Sequence, residues 1–349
     1  MNRTQYRQRG IGLVEIMISL TLGLLVTGAI VQIYVTTKRQ NDMQTSLTGR
    51  QESSRFAAQV IQTDGQMAGF RGCLRDLGTV VNTLNNATDF IYNYGQHVVG
   101  FNDAVGVPPE IDNVVPGTDV LTIRTAVGPG IQLGAAMLNS SDNPVTVAGL
   151  DPTAFAAGDI VLLADCGGAA IFQVTGFDAG TGNISHALGA LPGENARTNL
   201  GRRFLAGALL FRVQTTTYYI GVDPLVAVAD QRPALWRQRN DEPPQEIAQG
   251  IENMQVMYGK YENGAPPADP ANFYLPGDQV DLVVDATDEW SQVVSLRVAL
   301  LAAGEQGRVG EMVDDRQFTL LDAAPVDAPD DGRLRRVLTF TVAMRNRLS

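Results

Sequence analysis

Ile11–Val35 (IGLVEIMISLTLGLLVTGAIVQIYV) is apolar for 25 residues, with Glu15 as its only charge. At about 1.5 Å per residue, a helix of that length reaches about 37 Å, enough to cross a hydrocarbon core of about 30 Å with some tilt. Arg3, Arg7 and Arg9 precede the run, and Lys38 and Arg39 follow it. The three leading arginines favour a cytoplasmic N-terminus and an exported C-terminal body. A cleaved secretory signal fits poorly, because the run is long, contains Glu15 and ends in Gln32-Ile33-Tyr34-Val35 rather than small residues. A plain signal anchor explains length and orientation but gives Glu15 no role. A carboxylate inside a span costs roughly 2.5–3.5 kcal/mol and needs a partner, unless it snorkels to the headgroups.

At about 100° per residue, Gly12, Glu15, Ser19, Gly23 and Thr27 share an arc of about 120°. Ser19, Gly23 and Thr27 form a small-xxx-small series that lets helices approach closely in lipid. Ordinary scatter of small residues would look the same.

The remaining chain must build a body. With 349 residues, 44% apolar and 18% charged, it can bury a sizeable core. Thr36–Ala68 is polar and free of Pro, and reads as a continuation of the helix. Its face from Phe56 to Ala68 (Phe56, Ala57, Val60, Ile61, Met67, Ala68) is spaced to pack on the body, after a solvated stalk ending near Arg55. Val120–Ile123, Asp159–Ala164, Ala170–Thr175, Ala208–Ile220, Ile251–Tyr258, Gln292–Leu301 and Val337–Met344 are strand-like, with Gly and Pro between them. The expected class is α+β: one long N-terminal helix packed on a β-rich head of antiparallel sheets. The divisions are 1–10, a basic leader; 11–35, the membrane half of the helix; 36–68, its outer half; and 69–349, the head.

Chemistry-bearing motifs are sparse. A net charge of −11 argues against a nucleic-acid partner. His97 and His186 stand apart from Cys and from each other, so no metal site is expected and each reads as structural or superficial. Gly128–Gly134 has the wrong spacing for a dinucleotide loop and reads as a turn. Asp281, Asp285, Asp288 and Glu289, and Asp327, Asp330 and Asp331, lack calcium-loop order and read as solvated loops. Tyr218, Tyr219 and Trp236 read as core. No catalytic residues and no cofactor are expected. Export makes a Cys73–Cys166 disulfide plausible, tying helix to sheet, against two buried free thiols.

A basic leader ending in Gly10, then an apolar run with Glu15 at its fifth position, resembles the class III signal of type IV prepilins. The resemblance implies cleavage of Gly10–Ile11 by a prepilin peptidase and methylation of Ile11, where the family more often has Phe. It also implies pairing of Glu15 with the N-terminal amine of a neighbouring subunit. Met67–Cys73 (MAGFRGC), Tyr218–Ile220, Leu235–Arg237, Ile247–Gly259, Trp290–Leu301 and Arg345–Arg347 are similar to stretches of PilW-type minor pilins. That family implies an inner-membrane precursor surrounded by lipid, then a place in a type IV pilus, at the tip. Its implied partners are other minor and major pilins and a PilY-type tip adhesin, with adhesion and twitching motility as the wider functions. A J-type pseudopilin of type II secretion shares the plan, usually with a smaller head. A signal-anchored periplasmic enzyme or binding protein is the alternative from another class.

Overall fold

The computed structural model describes residues 12–74, 80–149, 155–260, 273–281, 289–304, 316–327, 329, 331 and 333–347. With no Pro before Pro108, nothing interrupts the N-terminal helix, and α1 runs unbroken over Leu13–Gln66. Its 54 residues span about 80 Å. Leu13–Asn41 has a mean hydropathy of 2.2, is long and apolar enough to cross a membrane, and is not covered by the rest of the protein. The hydroxyls of Thr21, Thr27 and Thr36 donate to the carbonyls of Met17, Gly23 and Gln32, so each satisfies its hydroxyl within the helix.

Among the described residues, the far end of α1 is where the helix packs on the head. Ser54, Ala57, Ala58, Ile61 and Gly65 are buried there. Ala57, Ile61 and Gly65 recur every four residues and make a narrow ridge. A Cβ on Gly65 would stand 3.0 Å from Val342 Cγ1, so this glycine sets how closely helix and sheet approach. Two residues expected on that ridge are off it. Phe56 is 51% exposed and Met67 is 42% exposed, because each lies about a quarter turn or more from the Ala57–Ile61 line. Packing also starts at Ser54, slightly before the expected end of the stalk.

The strands are β1 (Val80–Asn82), β2 (Val98–Phe101), β3 (Val120–Gln132), β4 (Val145–Thr146), β5 (Ile160–Asp165) and β6 (Gly168–Gln173). They continue with β7 (Gly176–Asp178), β8 (Asn183–Ser185), β9 (Leu209–Gly221), β10 (Ala234–Arg239), β11 (Gln245–Gln249) and β12 (Ile251–Lys260). The last are β13 (Phe273–Pro276), β14 (Val293–Ala303), β15 (Gln317–Phe318), β16 (Val326–Asp327) and β17 (Arg335–Ala343). An eight-stranded sheet runs β1-β6-β5-β9-β10-β11, with β3 also on β9 and β2 on β3. A four-stranded sheet runs β13-β12-β14-β17. Among the described pairs all are antiparallel except β1–β6, so the α+β architecture holds.

One core joins helix and both sheets: Ala57 and Ile61 share it with Leu121, Tyr218, Ile220 and Leu235 of the larger sheet and Val256, Leu296 and Val342 of the smaller. The chain passes from β11 to β12 at Gly250, whose φ of 76° is left-handed and whose Cβ would fall 2.8 Å from the Ala303 carbonyl. A second core lies between the larger sheet and β4-β8-β7, around Phe172, Phe204, Leu210 and Ile184. The 13-residue strands β3 and β9 serve both ends.

The expected turn at Gly128-Pro129-Gly130 is instead a bulge inside β3, between Val127 and Ile131 of its ladder with β9. Gly128 and Gly130 take φ of 89° and 70°, and a Cβ on Gly130 would lie 2.5 Å from the Phe211 ring. A bulge absorbs the extra residues and lets β3 keep its pairing on both sides.

Candidate assembly site

The residues singled out for assembly lie on the exposed end of α1. Gly12 is the N-cap, with extended φ/ψ of −72° and 144°, and its carbonyl accepts from the Glu15 and Ile16 amides at 2.9 and 3.2 Å. Glu15 therefore sits in the first turn, where the unsatisfied amides of a helix favour a carboxylate. Ile16, Ser19, Leu20, Gly23, Leu24 and Thr27 line a shallow groove along the helix, so the small-residue series shares one face with flanking aliphatic side chains. Among the described residues, nothing beyond the helix's own adjoining backbone lies within 4 Å of a Cβ built on Gly12, Gly23 or Gly28. Within the monomer, packing does not require glycine at these positions. Gly10 and Ile11 lie outside the described residues, as does the basic leader.

The head is fastened to the other end of α1 by several kinds of contact. Tyr218 Oη donates to Asp64 Oδ2 at 2.5 Å. Thr125 Oγ1 donates to the Met67 carbonyl at 2.7 Å. The Gly69 amide donates to the Arg124 carbonyl, and the Ala126 amide to the Phe70 carbonyl, both at 3.0 Å. Cys73 and Cys166 are disulfide-bonded with Cα atoms 5.0 Å apart, linking the segment after α1 to the β5–β6 turn. Both cysteines are exposed, which corrects the alternative of buried thiols.

The candidate polar residues of the head have structural partners. His97 and His186 are fully buried. His97 Nε2 lies 2.9 Å from the Val293 carbonyl, and His186 Nε2 lies 3.3 Å from that of Thr198. Burial pushes the His186 pKa down, favouring the neutral ring. Tyr218 and Tyr219 are core residues, with Trp236 half-buried beside Tyr219.

The acidic stretches are less solvated than their composition suggests. Glu289 pairs with the buried Lys260, whose Nζ also donates to the Val280 carbonyl at 3.2 Å. Buried Arg335 donates to Glu252 at 2.5 and 3.0 Å and to Asp331 at 2.9 and 2.6 Å. Burial raises the Asp331 pKa, but the hydrogen bond from Arg335 and the Arg333 amide outweigh it, and the net shift is downward. Asp327 accepts from Gln317 Nε2 at 2.8 Å. Asp281 is exposed, while Asp285, Asp288 and Asp330 lie outside the described residues. Among the described residues, no group of three His, Cys, Asp or Glu side chains could hold a metal ion.

Asp119 was not visible as special in the sequence. It is buried between the two sheets, accepting from the Asp103 and Val256 amides at 2.9 and 2.7 Å. A local signal existed only for Asp64, an acid next to the apolar ridge of an amphipathic helix end.

Residues 217–346 match the family model PilW, Type IV Pilus-assembly protein W. The matched segment takes in the end of β9 and β10 to β17, and so all four strands of the smaller sheet on which α1 docks. The match supports a PilW-type type IV pilus protein, related to pilus assembly. No curated protein and no solved structure matches the chain.

Proposed function

We propose that this chain is a minor pilin, processed at Gly10–Ile11 by a prepilin peptidase and incorporated in a type IV pilus. Before assembly it sits in the inner membrane, N-terminus cytoplasmic and head periplasmic. With other minor pilins it primes the fibre and remains near its tip, next to a PilY-type adhesin. Its role is assembly, and it turns over no substrate. One observation carries the reading: a head whose residues 217–346 match PilW stands on a single 54-residue helix whose free half is apolar, uncovered and has Glu15 in its first turn. The uncovered half suits lipid first and neighbouring helices later. The ridge of Ser19, Gly23 and Thr27 is where a neighbour can come closest. Glu15 then guides entry by meeting the amine that cleavage creates on the next subunit.

The test is the mature N-terminus of the native protein by mass spectrometry, with and without prepilin peptidase. The reading expects an N-methylated Ile11 that depends on the peptidase. An intact Met1, or a start beyond residue 29, overturns it. In cells, Glu15→Ala should leave the protein in the membrane but abolish its recovery in sheared pili. Deletion should remove pili and spare protein secretion, and the converse would place the chain in a secretion machine.

A further inference from the structure

Strand β17 is a margin of the four-stranded sheet, and its ladder with β14 is unbroken from Arg335↔Ala303 to Ala343↔Ser295. The Met344 amide donates to the Val294 carbonyl, and the Gly304 amide to that of Leu334. Antiparallel pairs alternate between hydrogen-bonded and non-hydrogen-bonded, so the even-numbered residues of β17 bond to β14. The amides and carbonyls of Val337, Thr339, Thr341 and Ala343 therefore point away from the sheet. Among the described residues none bonds to those backbone groups, and Thr339, Thr341 and Ala343 are exposed.

Proteins usually blunt such a margin with Pro, a bulge, charge or short length. The other margins here conform. β1 and β2 have three and four residues. β11 carries Glu246 and is bulged against β10, and β13 is a short strand ending in Pro276. Val337–Ala343 (VLTFTVA) has no Pro, Gly or charge and no break in register. Exposed Arg336 and Arg345 flank it, in a chain of net charge −11. No described carboxylate forms an ion pair with either arginine.

We infer that β17 is a β-augmentation edge, which takes an extended acidic segment of a partner protein as a fifth strand. Main-chain hydrogen bonds to Val337, Thr339, Thr341 and Ala343 supply the affinity, as in other strand-addition sites. One face of the incoming strand extends the apolar row of Leu338 and Phe340, and the other meets Thr339 and Thr341. Carboxylates at its two ends face Arg336 and Arg345. The assignment does not rest on the anchor chemistry proposed above.

The test uses the full chain in detergent micelles and a fluorescent synthetic peptide, E-T-V-T-V-T-V-E, against its counterpart with Lys at both ends. Thr339→Pro removes an outward amide and leaves the β14 ladder intact. Expected are saturable binding of the acidic peptide and slowed hydrogen exchange at the outward β17 amides. Binding should weaken at least tenfold for the Lys peptide, for Thr339→Pro, and for Arg336→Glu with Arg345→Glu, with melting unchanged. Absence of saturable binding, or equal binding of the two peptides, overturns the inference. So does self-association of the wild type that Thr339→Pro abolishes, since the occupant would then be a second copy. Should Thr339→Pro fail to fold, the charge-reversal variant decides, because its backbone is untouched.

Discussion

The Tyr218 hydroxyl donates to the Asp64 carboxylate at 2.5 Å, joining β9 to the last turn of α1 across 154 residues of sequence. Tyr218 is fully buried, and burial together with the Asp64 charge holds its pKa far above the ordinary phenol value, so it stays a donor. The bond sits where the helix leaves the head and helps fix the orientation of one on the other.

Tyr218→Phe keeps the ring in the core but leaves Asp64 without this donor. A hydrogen bond to a charged group contributes about 1.5–3 kcal/mol, and the variant should lose that much by urea unfolding of the full chain in micelles. A loss under about 0.5 kcal/mol would mean that the ridge of Ala57, Ile61 and Gly65 alone holds the helix.

Gly100 faces Tyr258 so closely that a Cβ would fall 1.8 Å from the hydroxyl and 2.3 Å from Cζ. Tyr258 is buried edge-on against Trp290 at 4.9 Å between centroids and has little room to yield. Gly100→Ala should destabilise by about 1–3 kcal/mol, the usual cost of overpacking. Gly106→Ala is the control for steric contact, since nothing stands near its Cβ and only its φ of 73° is strained. If Gly106→Ala cost more, backbone strain would outweigh the clash.

Burial raises the Asp119 carboxyl from its ordinary 3.8 to about 7, although the Asp103 and Val256 amides pull it down. The unfolded chain releases this proton near pH 4, while the folded protein holds it to about pH 7. In that window the native state binds more protons, so this group makes stability fall as pH rises from about 4 to about 7. Asp119→Asn should flatten that part of the stability–pH curve, whatever its effect on absolute stability. An unchanged slope would show that Asp119 is already ionised when folded.

Much of this architecture could be read from the chain, for identifiable reasons. The helix was legible because an unbroken apolar run and the absence of Pro are local properties. Six of the seven strand ranges also came close, as runs of β-branched and aromatic residues between turn signals, whereas Val120–Ile123 is only the first four residues of the 13-residue β3. What could not be read depends on partners far away in sequence. Phe56 fits a helical stripe, yet faces solvent, because the head meets the helix only along the line of Ala57, Ile61 and Gly65. Gly128 and Gly130 signal left-handed backbone equally well for a turn or a bulge, and Phe211 on a distant strand decides for the bulge. Glu289 looks like a solvated acid until Lys260 arrives from β12, and Asp331 until Glu252, 83 residues from Arg335, helps hold that arginine buried beside it. The small-residue face of Gly12, Ser19, Gly23 and Thr27 was legible as a pattern, and the described parts of the head do not cover it.

Cys73→Ser and Cys166→Ser, singly or together, should lower stability by up to about 4–5 kcal/mol, as expected for a loop of 93 residues in the chain-entropy account. Reductant should do the same to the wild type and nothing further to the variants. Equal urea midpoints with and without reductant would show that the bond contributes little beyond the packing around it.

The same bond sets how far the molecule can lengthen. At about 3.3–3.6 Å per residue, the 93-residue segment between Cys73 and Cys166 holds about 300 Å of extensible chain. A pull on α1 against the C-terminus bypasses all of it, because the covalent path crosses directly between two Cα atoms 5.0 Å apart. Under load the first third of the head is inextensible, and only the chain beyond Cys166 can pay out.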